Sequence, residues 1–416
     1  MGKSVNDMAV YQEMKDSGYP FIGAIPQHWR IIRVKNILNN YTEKNHPDAE
    51  VLSLYRDLGV LPKNSRSDNH NVTSEDTSQY KFVRAGDLVI NKMKAWQGSL
   101  AVSEYTGIVS PAYYVCKFTD NDINKQYIHY LLRCCSYAQE FEKLSTGMRI
   151  GQWDLGIDDF MKIPLAIPPI TEQAGIAAYL DKTLVQIDSL ITEAKASIEE
   201  YKKWKASIIY EAVTKGLDPD VEMKDSGVDI IGNIPVHWRL YRLKYLCDVM
   251  TGNQDTQNAV DDGKYPFYVR SPIIQRTNTY TYEGEGILMA GDGAGAGRVF
   301  HYATGKYAIH QRVYCFHNFR NIMPQFFLYY ISELFKKVMD KGSAQSTVPS
   351  VRLPMIQDFI FAIPPAREQA QIIEFLNKKC ETIDSLIFEK ESLISDLESY
   401  KKSLIYEVVT GKRKVV

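Results

Sequence analysis

No stretch of the 416-residue chain reaches eighteen consecutive apolar residues, which argues against a membrane-spanning helix. Met1 to Gln12 has neither the basic start nor the apolar run of a secretory signal, so a cytoplasmic protein is expected. Cysteine is scarce. Cys116, Cys134, Cys135, Cys247, Cys315 and Cys380 include no Cys-x-x-Cys pair, and free buried thiols are expected rather than a disulfide framework or a zinc knuckle. The eight histidines form no His-Glu-x-x-His spacing, so no metal site is expected. No Gly-Lys-Ser/Thr ending of a phosphate-binding loop occurs. No Asn-Pro-Pro-Tyr or Asp-Pro-Pro-Tyr motif occurs either, so methylation of a base amino group is not encoded. The net charge of −1 does not suggest a bulk nucleic-acid binder.

Repetition is what the chain does have. Ile167-Pro168-Pro169 leads into Thr171-Glu172-Gln173-Ala174, and Ile363-Pro364-Pro365 leads into Arg367-Glu368-Gln369-Ala370. Upstream, Met14-Lys15-Asp16-Ser17-Gly18 recurs as Met223-Lys224-Asp225-Ser226-Gly227. Ile25-Pro26-Gln27-His28-Trp29 recurs as Ile234-Pro235-Val236-His237-Trp238. The chain is therefore a tandem pseudo-repeat of about 200 residues, each copy reading as linker, globular part and long helix. The repeated His-Trp pairs are expected to anchor the linker on its domain, and the Glu-x-Lys triplets ending at Lys15 and Lys224 to be solvated linker charges. Charge differs between the copies. From Pro20 to Phe160, 16 basic residues meet 16 acidic ones, whereas Ile231 to Ile356 has 14 against 9. The second copy can thus present a basic face.

Both long helices carry apolar residues at alternating steps of three and four. Leu184, Ile187, Ile191, Ile198 and Tyr201 mark the seam in the first, Ile383, Ile387, Ile394 and Leu397 in the second. Neither Ile176–Lys215 nor Arg367–Thr410 contains a proline or glycine, and some 44 residues from Thr171 at 1.5 Å each predict roughly 65 Å of rod. Thr171 is the expected N-cap of the first. The expected boundaries are residues 1–160 for the first globular part, 161–216 for its helix, 217–356 for the second globular part and 357–416 for its helix.

The middles of the globular parts differ, and there lie the candidate ligand contacts. Gly291 to Gly297 is glycine-rich and superficially suggests a phosphate cradle, but Arg298 onwards reads as a strand rather than a helix start. The first copy has Lys92, Lys94 and Gln97 at the equivalent place. A hairpin loop that approaches a sugar–phosphate backbone fits both versions, with Gly293 and Gly295 allowing close approach and the lysines supplying charge. Arg, Gln, Ser and Asn are the donors that read base edges. They cluster at Lys63, Asn64 and Arg66, at Arg149 and Gln152, and at Arg270, Gln275 and Arg276. Further candidates are Arg298, Gln311 and Arg312, and Ser343, Gln345 and Ser346.

Taken together, Met-Lys-Asp-Ser-Gly, Ile-Pro-x-His-Trp, Ile-Pro-Pro-x-x-Glu-Gln-Ala, Ile-Asp-Ser-Leu-Ile and Tyr-Glu-x-Val-Thr resemble the specificity subunit of type I restriction–modification systems, over nearly the whole chain and in both copies. The resemblance implies an α+β fold with two globular mixed α/β target-recognition domains separated by two long antiparallel coiled-coil helices. It implies a non-catalytic subunit in which each domain reads one half of a split double-stranded DNA target. The helices would set the spacing between half-sites and dock two methylation subunits. This chain would hold no cofactor: S-adenosylmethionine would bind the methylation subunits, and ATP with Mg²⁺ the restriction subunits of the full complex. The rival readings are an enzyme that binds nucleotide at Gly291–Gly297 or cuts DNA, and a coiled-coil adaptor with no DNA role.

Overall fold

The computed structural model describes residues 10–56, 58–65, 76–147, 153–342 and 349–416. Two compact units emerge, Met1–Ala194 with Ser392–Val416, and Lys195–Glu391.

The first unit opens with a hairpin of β1 (Met14–Asp16) and β2 (Ala24–Pro26), followed by β3 (Arg30–Arg33) and β4 (Leu38–Tyr41). Two short ladders follow, β5 (Leu52–Tyr55) with β6 (Gly59–Pro62), and β7 (Lys81–Val83) with β10 (Gly107–Val109). The central sheet adds β8 (Leu88–Asn91), β9 (Leu100–Val102) and β11 (Tyr113–Phe118) in the antiparallel order β4-β11-β8-β9. Strand β8 is buried throughout, and its first three residues are apolar because it is covered on both faces. Leu88 and Ile90 enter the larger core and Val89 a smaller one, as period-two alternation requires.

Next come α1 (Lys125–Arg133), N-capped by the Asn124 side chain, and α2 (Cys135–Leu144). The short pair β12 (Ser145–Thr146) and β13 (Asp154–Leu155) precedes α3 (Ile157–Lys162), and β14 (Pro164–Ile167) returns to pair with β3. On α1, His129 Nδ1 accepts the Val102 N–H at 3.3 Å. Burial, with a smaller push from Arg133, drives this imidazole down to about 3. An unfolded histidine takes a proton near pH 6.5 and the folded one does not. The contribution is therefore complete above that value and is lost as pH falls towards 3, with about 2 kcal/mol gone by pH 5. Urea denaturation of His129→Asn, which keeps an acceptor for Val102, is expected to lose this part of the pH dependence.

The second unit repeats the plan: hairpin β15 (Met223–Asp225) and β16 (Asn233–Pro235), then β17 (Arg239–Arg242) and β18 (Asp248–Thr251). Strands β19 (Tyr265–Tyr268), β20 (Gln275–Thr277), β21 (Tyr282–Glu283), β22 (Gly286–Ala290), β23 (Phe300–Ala303), β24 (Lys306–Ile309) and β25 (Val313–His317) form two sheets. The order β18-β25-β22-β23 matches the central sheet of the first unit; β20-β19-β24-β21, with β19 and β24 parallel, does not. Helix α5 (Pro324–Gly342) begins on the proline whose missing N–H costs nothing in a first turn. The short α6 (Leu353–Gln357) leads to β26 (Ile360–Ile363), which pairs with β17.

The long helices are α4 (Ile170–Lys215) and α7 (Ala366–Val409), each contributing a segment to both units. In the first unit, Leu184, Ile187 and Ile191 share a core with Leu404 and Val408, with Ile394 and Leu397 packed against it. There Lys401 Nζ holds both carboxylate oxygens of Asp188, at 2.6 and 2.8 Å. The same pair recurs in the second unit as Lys205 on Asp384, at 2.7 and 2.6 Å. In each unit the two segments run antiparallel. Ile198 and Ile383 are buried, Tyr201 and Ile387 half-buried.

Three local expectations need correction. Thr171 is not the N-cap: α4 already begins at Ile170, and the N–H groups of Glu172 and Gln173 both donate to the Pro169 carbonyl at 2.9 Å. The Met-Lys-Asp-Ser-Gly segments are hairpins rather than linkers, each turned by an Asp carboxylate that accepts the N–H two residues on, at Gly18 and Gly227. Lys224, though exposed, is not a free linker charge; its Nζ donates to the carbonyls of Val236 and Trp238. The six cysteines are free, and all but Cys135 are buried.

Candidate nucleic-acid interface

Each globular part is fixed to the start of its long helix by one Glu-Gln pair. Trp29 is fully buried and its indole N–H donates to Glu172 Oε1 at 3.1 Å, while His28 Nε2 lies 2.7 Å from Oε2. Trp238, His237 and Glu368 repeat this at 3.0 and 2.8 Å. The His-Trp anchor expected from the repeat is thus a shared carboxylate. Tyr11 adds a third donor to Glu172 at 2.5 Å, and burial followed by that bond pushes its phenol well above its ordinary range. Gln173 Nε2 donates to the carbonyls of Pro168 and Asp122 while its Oε1 accepts the Asn124 N–H. Gln369 does the same with Pro364, Asn321 and Met323.

Held on that frame are the hairpins β8–β9 and β22–β23, which present the expected loops. Their bases are tied alike: Leu155 N–H donates to the Lys92 carbonyl at 3.0 Å, and Val351 N–H to the Gly291 carbonyl at 2.7 Å. In the first unit Lys92 Nζ pairs with Asp154 at 2.9 Å, which raises the lysine pKa through that hydrogen bond. Met93, Lys94 and Gln97 are exposed, and Trp96 packs edge-on against Trp153 with ring centroids 5.2 Å apart.

In the second unit the loops converge. Arg270 Nη1 pairs with Asp292 Oδ1 at 2.9 Å and Arg312 Nε lies 3.7 Å from Oδ2. Beside them, Gln311 Nε2 donates to Asp255 Oδ2 at 2.6 Å, and the buried His310 accepts the Arg312 N–H on Nδ1 at 2.9 Å. Burial, then the nearby Arg270, keeps His310 below its ordinary pKa. Gly293 has φ +74° and open space around it, whereas a Cβ on Gly295 would lie 2.6 Å from the Arg270 carbonyl. The close approach at Gly295 is therefore to the protein's own backbone.

The remaining candidates fare differently. Arg276 spends its guanidinium on the carbonyls of Gly263 and Lys264. Gln275 is half-buried, with an Oε1 that finds no hydrogen-bond partner among the described residues. Arg298 pairs with Asp340. Lys63 and Asn64 sit in a single 3-10 turn after β6. Arg66, Arg149, Gln152, Ser343, Gln345 and Ser346 lie outside the described residues. Composition alone did not single out Asp292, Asp154 or His310, although Asp292 stands inside the glycine run that drew attention to the loop. Among the described residues no helix is long and apolar enough to cross a membrane.

Comparison with known proteins agrees with this layout. Residues 26–200 and 235–393 match the family model described as type I restriction modification DNA specificity domain. The MjaVIII specificity subunit of a type I restriction enzyme from Methanocaldococcus jannaschii is 25% identical over 94% of both chains. The EcoDI specificity subunit from Escherichia coli is 26% identical over 44% of this chain and 40% of its own length. Among solved structures, a chain determined to explain complex assembly and conformational transition of the type I R-M system superposes with a TM-score of 0.70 at 13% identity, covering 92% of this chain and 98% of the other. The HsdS subunit from Thermoanaerobacter tengcongensis gives 0.52 at 14%, over 95% and 99%.

Proposed function

The chain belongs to the type I restriction modification DNA specificity family, and from that premise we propose that it is the non-catalytic reading and scaffolding subunit of a type I restriction–modification complex. Each unit reads one half of a split double-stranded DNA target. Helices α4 and α7 set the spacing between the halves and dock two methylation subunits. Those subunits bring S-adenosylmethionine and the chemistry on adenine, which is drawn out of the duplex to be modified. Restriction subunits bring ATP and Mg²⁺.

The observation that carries this reading is the contrast between frame and loops. The Glu-Gln anchors, the Lys–Asp pair and the central sheet are repeated in both units. The loops are not: lysines flank Met93 in one hairpin, and glycines flank Asp292 in the other. Equal scaffolds with unequal tips suit two half-sites of different sequence, since base edges are read by side chains and position by the frame. Against the nucleotide-binding rival, Gly291–Gly297 leads into strand β23 rather than into a helix N-terminus that could cradle a phosphate.

The test is to express the chain with its methylation subunits and map adenine methylation across a genome at single-base resolution. A split motif with a fixed gap, absent when this chain is omitted, is the expected result. A continuous motif, or methylation indifferent to the chain, would count against it.

A further inference from the structure

We infer that Arg270 and Arg312, steadied by Asp292, form a guanine-reading fork in the second unit; this rests on the DNA-reading function proposed above. The three residues come from separate places: Arg270 follows β19, Asp292 lies in the β22–β23 hairpin, and Arg312 in the turn between β24 and β25. The fold nevertheless brings both guanidinium groups onto one carboxylate, at 2.9 and 3.7 Å.

Burial is graded in the sense a reading head needs. The Asp292 side chain is 23% exposed, Arg270 44% and Arg312 65%, so the anion lies beneath two more accessible cations. Asp292 is itself held still. Gly291 N–H donates to the Arg312 carbonyl at 2.9 Å, Gly293 N–H to the Pro349 carbonyl at 3.0 Å, and Asp292 bridges Ser350 as an isolated antiparallel pair. Arg312 is fixed at its backbone by His310. Each fork meets Asp292 through one nitrogen, Nη1 of Arg270 and Nε of Arg312, and keeps further donors. Guanine offers two major-groove acceptors, O6 and N7, that match two donors of an arginine; adenine offers one acceptor and one donor and does not. A carboxylate beneath the fork lowers the entropy lost on forming that pair and limits attraction to phosphates at large.

Among the described residues the first unit shows no matching pair of arginines on one carboxylate. Its hairpin lysine is a point charge on Asp154, and at the position matching Arg312 it has Pro111. The fork is therefore assigned to the half-site read by the second unit.

The experiment selects binding sequences from randomised duplexes with the chain in complex with its methylation subunits, comparing wild type with Arg312→Ala, Arg312→Lys, Arg270→Ala and Asp292→Asn. The wild type is expected to select at least one fixed guanine in one half-site. Arg312→Lys keeps the charge but loses the planar fork, and is expected to lose preference for that guanine by about tenfold or more, as Arg312→Ala and Arg270→Ala do. Asp292→Asn is expected to lower the preference several-fold while binding unrelated DNA more tightly. The other half-site stays unchanged throughout. Replacing the guanine by 7-deazaguanine, which removes N7, should erase the difference between wild type and Arg312→Lys. A split motif that Arg312→Ala, Arg312→Lys and Arg270→Ala leave intact overturns the fork alone. A wild-type complex that selects no split motif overturns the DNA-reading function and the fork with it.

Discussion

Replacing Gln173 by alanine is expected to destabilise the first unit by about 3–5 kcal/mol, with Gln369→Ala doing the same to the second. Gln173 is fully buried and serves three backbone groups at once: the carbonyls of Pro168 and Asp122, at 2.9 and 3.1 Å, and the Asn124 N–H at 2.8 Å. Truncation leaves those groups unpaired, at roughly 1–3 kcal/mol each before any relaxation. The damage spreads, because Asn124 is the residue whose side chain caps α1. Gln173→Glu keeps the shape and the acceptor but removes both donors and faces two carbonyls with a carboxylate, so it is expected to be no better than alanine. Gln369 holds the carbonyls of Pro364 and Asn321 and accepts from Met323 N–H. Urea denaturation followed by tryptophan fluorescence separates the cases, since Trp29 is buried in one unit and Trp238 in the other. A loss under about 1 kcal/mol for Gln173→Ala would show that water replaces the side chain and that the anchor lies elsewhere.

How much of this was legible in advance follows the range of each interaction. The seam of the long helices was, because steps of three and four repeat over many turns and every residue adds to one signal. Leu184, Ile187, Ile191, Ile198 and Ile383 are buried as that pattern requires. The hairpins at Met14 and Met223 were not, since strands of three residues carry no alternation to detect. The start of α4 was misplaced by a residue type: Thr171 is a good cap in general, but the Pro169 carbonyl already takes the first two N–H groups. The parallel pairing of β19 with β24 joins segments some forty residues apart, and nothing local encodes it.

The recognition surface was legible only as donor types. Sequence marks Arg270, Arg276, Arg298 and Arg312 alike, yet each has a different fate. Two converge on Asp292, one is spent on the carbonyls of Gly263 and Lys264, and one pairs with Asp340 on α5. Which arginine remains available depends on partners from other elements, so residue chemistry could nominate them but not rank them. The Glu-Gln words show the reverse. Their exact recurrence signalled a shared role, but not that a single carboxylate would hold a histidine and a buried tryptophan together.

Inserting seven residues between Ala194 and Lys195, together with seven between Glu391 and Ser392, is expected to widen the gap between half-sites by about three base pairs. Both half-site sequences should stay as they were. The insertions fall where α4 and α7 pass from one unit to the other. Seven residues add about 10.5 Å of helix, and successive base pairs are about 3.4 Å apart. The number seven matters: it is two near-complete turns, so the apolar seam returns to its face with a drift of only about 20°. Both helices must be lengthened, since they run antiparallel and one alone would lose its partner's register. Each Lys–Asp pair survives, because Asp188 with Lys401 and Lys205 with Asp384 lie each within one unit. Methylation mapping of the doubly extended chain with its partner subunits reads the result directly. An unchanged gap would mean that helix length is not the ruler and that spacing is set by the methylation subunits. A lost motif with two intact unfolding transitions would mean that those subunits cannot span the longer helices, which places the limit on docking rather than on reading.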